Sequence, residues 1–216
     1  MNVYTTEATC DIQFGNIKRP THRNTSWDMA KFEICAHKWV DLSQGDYGVA
    51  LLNDCKYGYK VLKNVIDLNL LRSPGYPDPT ADRSQQEFTY SLYPHRGDHI
   101  SGEVVKAAYE LNIPLKILAT KAHKGKLPAN KSFIKVGAES IIVETVKKAE
   151  DNNNMIIRLY EAHGVGTRTK IHFNFEAKIV QLVDIMEENA KLITLDGKSV
   201  ELYFRPFEIH TLKISV

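Results

Sequence analysis

Lys170-Ile171-His172-Phe173-Asn174-Phe175-Glu176 alternates without a break, with Ile171, Phe173 and Phe175 at one parity and Lys170, His172, Asn174 and Glu176 at the other. In an extended chain, alternate side chains point to opposite faces, so one face of this stretch is apolar and the other wet. That is the pattern of a half-buried antiparallel strand. The same period recurs on both sides of it. Thr5–Phe14, Phe32–Trp39, Tyr47–Leu52, Val65–Leu71, Phe88–Tyr93, Ser140–Val146, Met155–Glu161, Ile179–Asp184, Glu201–Phe204 and Phe207–Val216 read as strands. Many short strands at close spacing predict an all-β protein built of sandwiches.

One segment follows the other period. Val104, Ala107, Ala108 and Leu111 recur at helical spacing after Ser101, a candidate cap, and Asn112 with Pro114 would end the run. The reading is one short helix near Ser101–Leu111. Beyond it, Lys121-Ala122-His123-Lys124-Gly125-Lys126-Leu127-Pro128-Ala129-Asn130 has no apolar period. A change of domain is expected between about Leu118 and Lys131, giving residues 1–125 and 126–216. Asp196-Gly197 reads as a hairpin turn and Asp151–Asn154 as a loop.

Composition narrows the function. With 43% hydrophobic and 25% charged residues, the 216-residue chain has the means to bury a core, which excludes a disordered tail. No apolar run reaches the length of a membrane helix, and Met1–Thr6 lacks the order of a signal peptide. A formal charge of +2, with both signs interspersed, makes no field that would gather phosphate backbones, so nucleic acid is not an expected partner. Cys10, Cys35 and Cys55 are odd in number and widely spaced, which fits neither a disulfide framework nor a zinc site, and points to the cytoplasm. A strand that begins almost at the first residue reads as a chain cut from a longer one.

Two loops hold the densest chemistry. Arg19-Pro20-Thr21-His22-Arg23-Asn24-Thr25-Ser26-Trp27-Asp28 gathers imidazole, guanidinium, amide, indole and carboxylate groups. Sugars are gripped by such sets, an aromatic face against the C–H side of a pyranose and polar groups on its hydroxyls. The structural reading of the same residues is a surface loop closed by Asn24, Thr25 and Ser26 on its own backbone. The second loop, Arg72-Ser73-Pro74-Gly75-Tyr76-Pro77-Asp78-Pro79-Thr80-Ala81-Asp82, is stiffened by prolines. Asp78 and Asp82 invite a glycosidase acid and nucleophile, but an Asp–Arg tie that fixes the loop is the favoured reading. The histidines show neither HxH nor HExxH spacing. His172 and His210 are expected on exposed sheet faces.

At these residues the sequence resembles a known family. Phe14–Asp28, His37-Lys38-Trp39, Tyr47–Tyr59, Leu70–Pro74, Pro77-Asp78-Pro79 with Ala81-Asp82, Phe88–His95, Arg158–Glu161 and Thr211-Leu212-Lys213 resemble, in order, the C-terminal region of glycoside hydrolase family 38 α-mannosidases, nearest their cytoplasmic-type branch. The resemblance implies part of a galactose-mutarotase-like super-sandwich followed by a smaller C-terminal β-sandwich. It implies that the nucleophile and the zinc belong to an N-terminal catalytic domain of the same parent chain, with no metal or catalytic residue here. The partners it implies are that domain and a mannose-containing oligosaccharide. His22, Asn24, Trp27, Asp28, Arg72, Asp78 and Asp82 are then candidates for facing the substrate. The chain departs from the family pattern at Arg83–Glu87, where a Gly and a His are expected. An uncovered docking surface would also allow homo-oligomers. Two other readings compete: a stand-alone carbohydrate-binding module with an exposed aromatic platform, and a sugar epimerase or lyase with Glu87 or Asp82 as base and His95 as acid.

Overall fold

The computed structural model describes residues 2–216. The chain divides into two compact units, Met1–Ile117 and Leu118–Val216. Each is a sandwich of antiparallel sheets.

In the first unit the elements run β1 (Glu7–Ile12), β2 (Gly15–Pro20), α1 (Ser26–Ala30), β3 (Ile34–Cys35), β4 (Trp39–Ser43), β5 (Tyr47–Asn53), β6 (Gly58–Leu62), β7 (Val65–Leu68), β8 (Tyr90–Arg96) and α2 (Val104–Asn112). A five-stranded sheet has the order β2-β1-β4-β5-β8, and a three-stranded sheet the order β3-β6-β7. Alternation sets the core between them. Ala8 and Cys10 on β1, Val40 and Leu42 on β4, and Val49 and Leu51 on β5 share a cluster with Tyr59 and Val61 of β6. Burial of this kind supplies roughly 1.5–3 kcal/mol per large aliphatic side chain. It also pushes the Cys10 thiol up to about 12, so that group is inert at neutral pH. The opposite face of β4 and β5 is covered by α2, whose Val104, Val105 and Ala108 are buried.

The second unit holds β9 (Ile134–Val136), β10 (Ile141–Lys148), β11 (Met155–Glu161), β12 (Thr167–Phe173), β13 (Ile179–Val183), β14 (Lys191–Leu192), β15 (Ser199–Phe204) and β16 (Ile209–Ser215). Its sheets are β10-β11-β16-β13-β14 and β15-β12-β9. Ile157 and Leu159 on β11 and Leu212 and Ile214 on β16 meet Ile171 and Phe173 of β12 and Phe204 of β15 in one cluster. The parity read from Lys170–Glu176 is therefore the one observed. Glu161, at the end of β11, is fully buried. Its carboxylate accepts backbone N–H groups from His163 (2.9 Å), Gly164 (2.7 Å), Val165 (3.1 Å) and Phe207 (3.2 Å), which fixes the turn into β12 against the approach to β16.

The expected mostly-β sandwich is what forms, with corrections of detail. There are two helices among the described residues, not one. The second runs from Val104, and Ser101 does not cap it: the cap position is Glu103, in left-handed conformation at φ 52°. Ser101 instead closes a turn with Asp98, donating its N–H to Asp98 Oδ1 at 2.9 Å. Phe32–Trp39 is not one strand, because Phe32 is exposed and only Ile34–Cys35 pairs before Trp39 opens β4. Asp196-Gly197 does form a tight turn, with reciprocal backbone bonds between Asp196 and Ser199 and Gly197 at φ 60°. Asp151–Asn154 lies in the connection from β10 to β11.

Candidate functional site

The first loop is built from its anchor outward. Thr21, at the end of β2, is buried and donates its hydroxyl to the Thr5 carbonyl at 2.8 Å while its N–H reaches the Thr6 carbonyl at 2.9 Å. Beyond it the chain turns into α1 through a capping box. Thr25 Oγ1 accepts the Asp28 N–H, and the Thr25 N–H donates to Asp28 Oδ2, both at 3.1 Å. This helix was legible as Thr25-x-x-Asp28, the Ser/Thr-x-x-acid signature of a helix start, but no apolar period follows it and it buries no residue. The bonds from Thr25, helped by His22, hold the Asp28 carboxyl below its ordinary range. His22 Nδ1 stands 3.6 Å from Asp28 Oδ2.

The consequence for Trp27 is exposure. The first turn of α1 carries its indole out of the core, at 76% relative exposure, with Met29 and Phe32 exposed beside it in sequence. At that exposure Trp27 is no part of the first unit's core. Asn24 is exposed as well. Of the candidates, His22 also lines an open concavity of about 770 Å³, together with Val3–Thr6, Thr21, Ser43–Gly45, Lys63 and Asn64.

The second loop closes on its own backbone. Asp82 Oδ2 accepts the N–H groups of Arg72 (3.3 Å) and Ser73 (2.8 Å), so the tie between these residues runs through the main chain of Arg72 and leaves its guanidinium exposed. Asp78 accepts the N–H and hydroxyl of Thr80 at 2.8 and 2.7 Å, and those bonds hold its carboxyl pKa below the ordinary range. Both carboxylates are thus engaged in turn geometry. The structure brings together His22 with Asp28, and Arg72 with Asp82.

His95 is not placed to act as an acid on an open substrate. It is buried on β8 with Nε2 2.8 Å from Asp41 Oδ1, and Asp41 also takes the Ser43 hydroxyl. Gly48 and Gly102 press on the ring from two sides, since a Cβ at either would lie 2.3 Å from a ring atom. Glu87 is exposed in the Arg83–Glu87 stretch. This pairing of Asp41 with His95, fifty-odd positions apart, was not readable from spacing. His172 and His210 are likewise half-buried, not exposed. His172 bonds Ser199 Oγ at 3.0 Å and Asn174 Oδ1 at 3.1 Å, and His210 packs its ring 4.3 Å from that of Phe204.

Zinc does not fit the donors present. Among the described residues no three His, Cys, Asp or Glu side chains are grouped to hold a metal ion. Cys10, Cys35 and Cys55 are free. No helix among the described residues is long and apolar enough to cross a membrane.

Known proteins match the chain along its length. Residues 1–80 match the glycosyl hydrolases family 38 C-terminal domain, and residues 140–212 the family 38 C-terminal beta sandwich domain. The chain is 43% identical over 215 residues to alpha-mannosidase 2C1 of Homo sapiens, covering 97% of this chain and 20% of that protein. It is 45% identical over 219 residues to alpha-mannosidase G of Dictyostelium discoideum, covering 95% of this chain and 19% of that protein. It therefore spans about one fifth of the length of these curated relatives. The crystal structure of an alpha-mannosidase from Enterococcus faecalis V583 superposes on all of this chain with a TM-score of 0.81 at 22% identity, over 25% of its own length, and so shares the fold. Two domain matches of one family, over residues 1–80 and 140–212, place the chain in glycosyl hydrolase family 38, as its C-terminal region.

Proposed function

We propose that this chain is the non-catalytic C-terminal β-region of a cytoplasmic α-mannosidase, which packs on an N-terminal catalytic domain of the same parent and completes its substrate cleft. The observation that carries the reading is the match to human alpha-mannosidase 2C1 at 43% identity over 97% of this chain, both sandwiches included. On this reading the zinc and the nucleophile are held by the catalytic domain. The chain's own residues bind and position. Trp27 offers an exposed aromatic face, and His22, Asn24 and Arg72 offer donors to hydroxyls of a mannose-containing oligosaccharide. Asp28, Asp78 and Asp82 keep those loops in shape through the backbone bonds described above. Free cysteines, one of them buried, suit a reducing compartment.

The test is complementation. Human alpha-mannosidase 2C1 shortened by the stretch that this chain matches is produced alone and together with the chain, and hydrolysis of an activated α-mannoside is followed. Activity is expected only in the combination. Hydrolysis by the purified chain alone, supplied with zinc, would overturn the proposal, as would a combination no more active than its parts.

A further inference from the structure

The β6–β7 hairpin holds a residue at odds with its turn. Leu62 pairs with Val65, so Lys63 and Asn64 alone make the connection. Lys63 is left-handed there, at φ 55°. Such a position crowds the Cβ, and two-residue hairpins favour Gly at it, or Asn and Asp, whose short side chains bond locally. Lysine has neither advantage. A strained residue kept in a well-formed turn directs attention to what its side chain does.

Lys63 lines the open concavity of about 770 Å³ at this end of the first unit. The walls are tied together. The Lys63 N–H donates to the Thr21 carbonyl, the Tyr4 N–H donates to Gln44 Oε1 at 3.0 Å, and Gln44 Nε2 donates to Asp46 Oδ1 at 3.0 Å. The space is therefore formed before any ligand arrives. Its lining includes two basic side chains, Lys63 and His22, and no carboxylate among the described residues. Asp28, the acid nearest His22, is turned onto the Thr25 backbone and does not line it. Lys18, Lys38 and Lys60 of the same unit each face a carboxylate, whereas Lys63 pairs with none among the described residues. Tyr4 adds an aromatic ring that is 82% exposed.

We propose that this concavity binds a small sugar bearing an anionic group, a phosphate or a carboxylate. An ammonium group in a lining without acids leaves the negative charge to be brought by the ligand, and charge-assisted hydrogen bonds are the strong ones. The Tyr4 ring supplies the apolar surface on which a pyranose stacks, and Thr6 and His22 supply donors to its hydroxyls. The site shares only His22 with the cleft proposed above and does not depend on that reading.

The whole chain is titrated calorimetrically with mannose 6-phosphate, glucuronate, mannose and inorganic phosphate. At least one of the two anionic sugars is expected to bind about tenfold or more tightly than either mannose or phosphate. The tighter of them tells phosphate from carboxylate. Lys63→Asn should weaken that binding by about tenfold or more while the melting temperature holds or rises, since Asn suits the turn. Lys60→Gln removes the same charge outside the concavity and should bind as the wild type does. Amide resonances of Thr5, Thr6, Lys63 and Asn64 should shift with the bound fraction. Undiminished binding by Lys63→Asn, an equal loss in Lys60→Gln, or shifts confined to Lys121–Lys131 would overturn the site. Mannose binding as tightly as the anionic sugars would overturn the ligand class and leave the proposed function standing. Phosphate binding as tightly would overturn the sugar.

Discussion

A carboxylate with no exposed surface needs several donors, and Glu161 has four backbone N–H groups from two separate segments. Glu161→Gln keeps the volume but turns one acceptor oxygen into an NH₂ group facing those donors. The expected loss is about 2–4 kcal/mol of stability, read as a lowered urea midpoint of the chain. A midpoint within error of the wild type would show that the turn does not depend on the charge. Glu208 behaves differently. Hydrogen bonds from Arg205 lower its pKa from 4.5 to about 2, with His210 assisting against partial desolvation. A carboxyl depressed in the folded state stabilises fully above its unfolded pKa and loses that contribution as pH falls through the folded one. Stability should therefore drop between pH 4.5 and about 2 more steeply in the wild type than in Glu208→Gln. Parallel curves for the two proteins would remove Glu208 from the acid response.

At the scale of elements, α1 is the informative case. A five-residue helix with nothing buried depends on its cap, because so short a helix is marginal by itself. Thr25→Ala deletes one half of the capping box and should cost about 1 kcal/mol locally, seen as faster exchange of the Met29 and Lys31 amides. Since that turn presents Trp27, both Thr25→Ala and Trp27→Ala in a full-length parent should lower kcat/KM, the latter by about tenfold. Global stability of Trp27→Ala should remain within about 0.5 kcal/mol, as for a surface change. Normal kinetics in both variants would take Trp27 out of the proposed cleft. Six of the seven candidate residues split on the same scale, with His22 half-buried beside Asp28. The structure commits Asp28, Asp78 and Asp82 to backbone donors and leaves Asn24, Trp27 and the Arg72 guanidinium exposed, a distinction that residue type does not contain.

For the molecule as a whole, each sandwich has its own cluster of buried residues, and the two compact units meet in sequence at Ile117–Leu118. Residues 113–133 carry no helix or strand and are exposed throughout. The division of the chain proposed from sequence, between about Leu118 and Lys131, then has a direct check. Limited trypsin should cut first at Lys121, Lys124 or Lys126 and leave two resistant fragments. Initial cleavage inside β1–β8 or β10–β16 would refute independent cores.

What the sequence determined by itself is the local part: strand parity, the Asp196-Gly197 turn, the second helix and the order of the family motifs. Each depends on residues adjacent in the chain, so a period of two or of 3.6 carries the information. The tertiary structure alone decided which distant groups meet. Asp41 finds His95 and Glu161 finds Phe207 because sheet register and loop closure set those distances and spacing in sequence does not, and the Asp–Arg tie expected in the second loop runs through the Arg72 main chain instead of its guanidinium. The exposure of Trp27 and Leu92 belongs to the same class, since burial is a property of what stands opposite a residue and no single strand carries it.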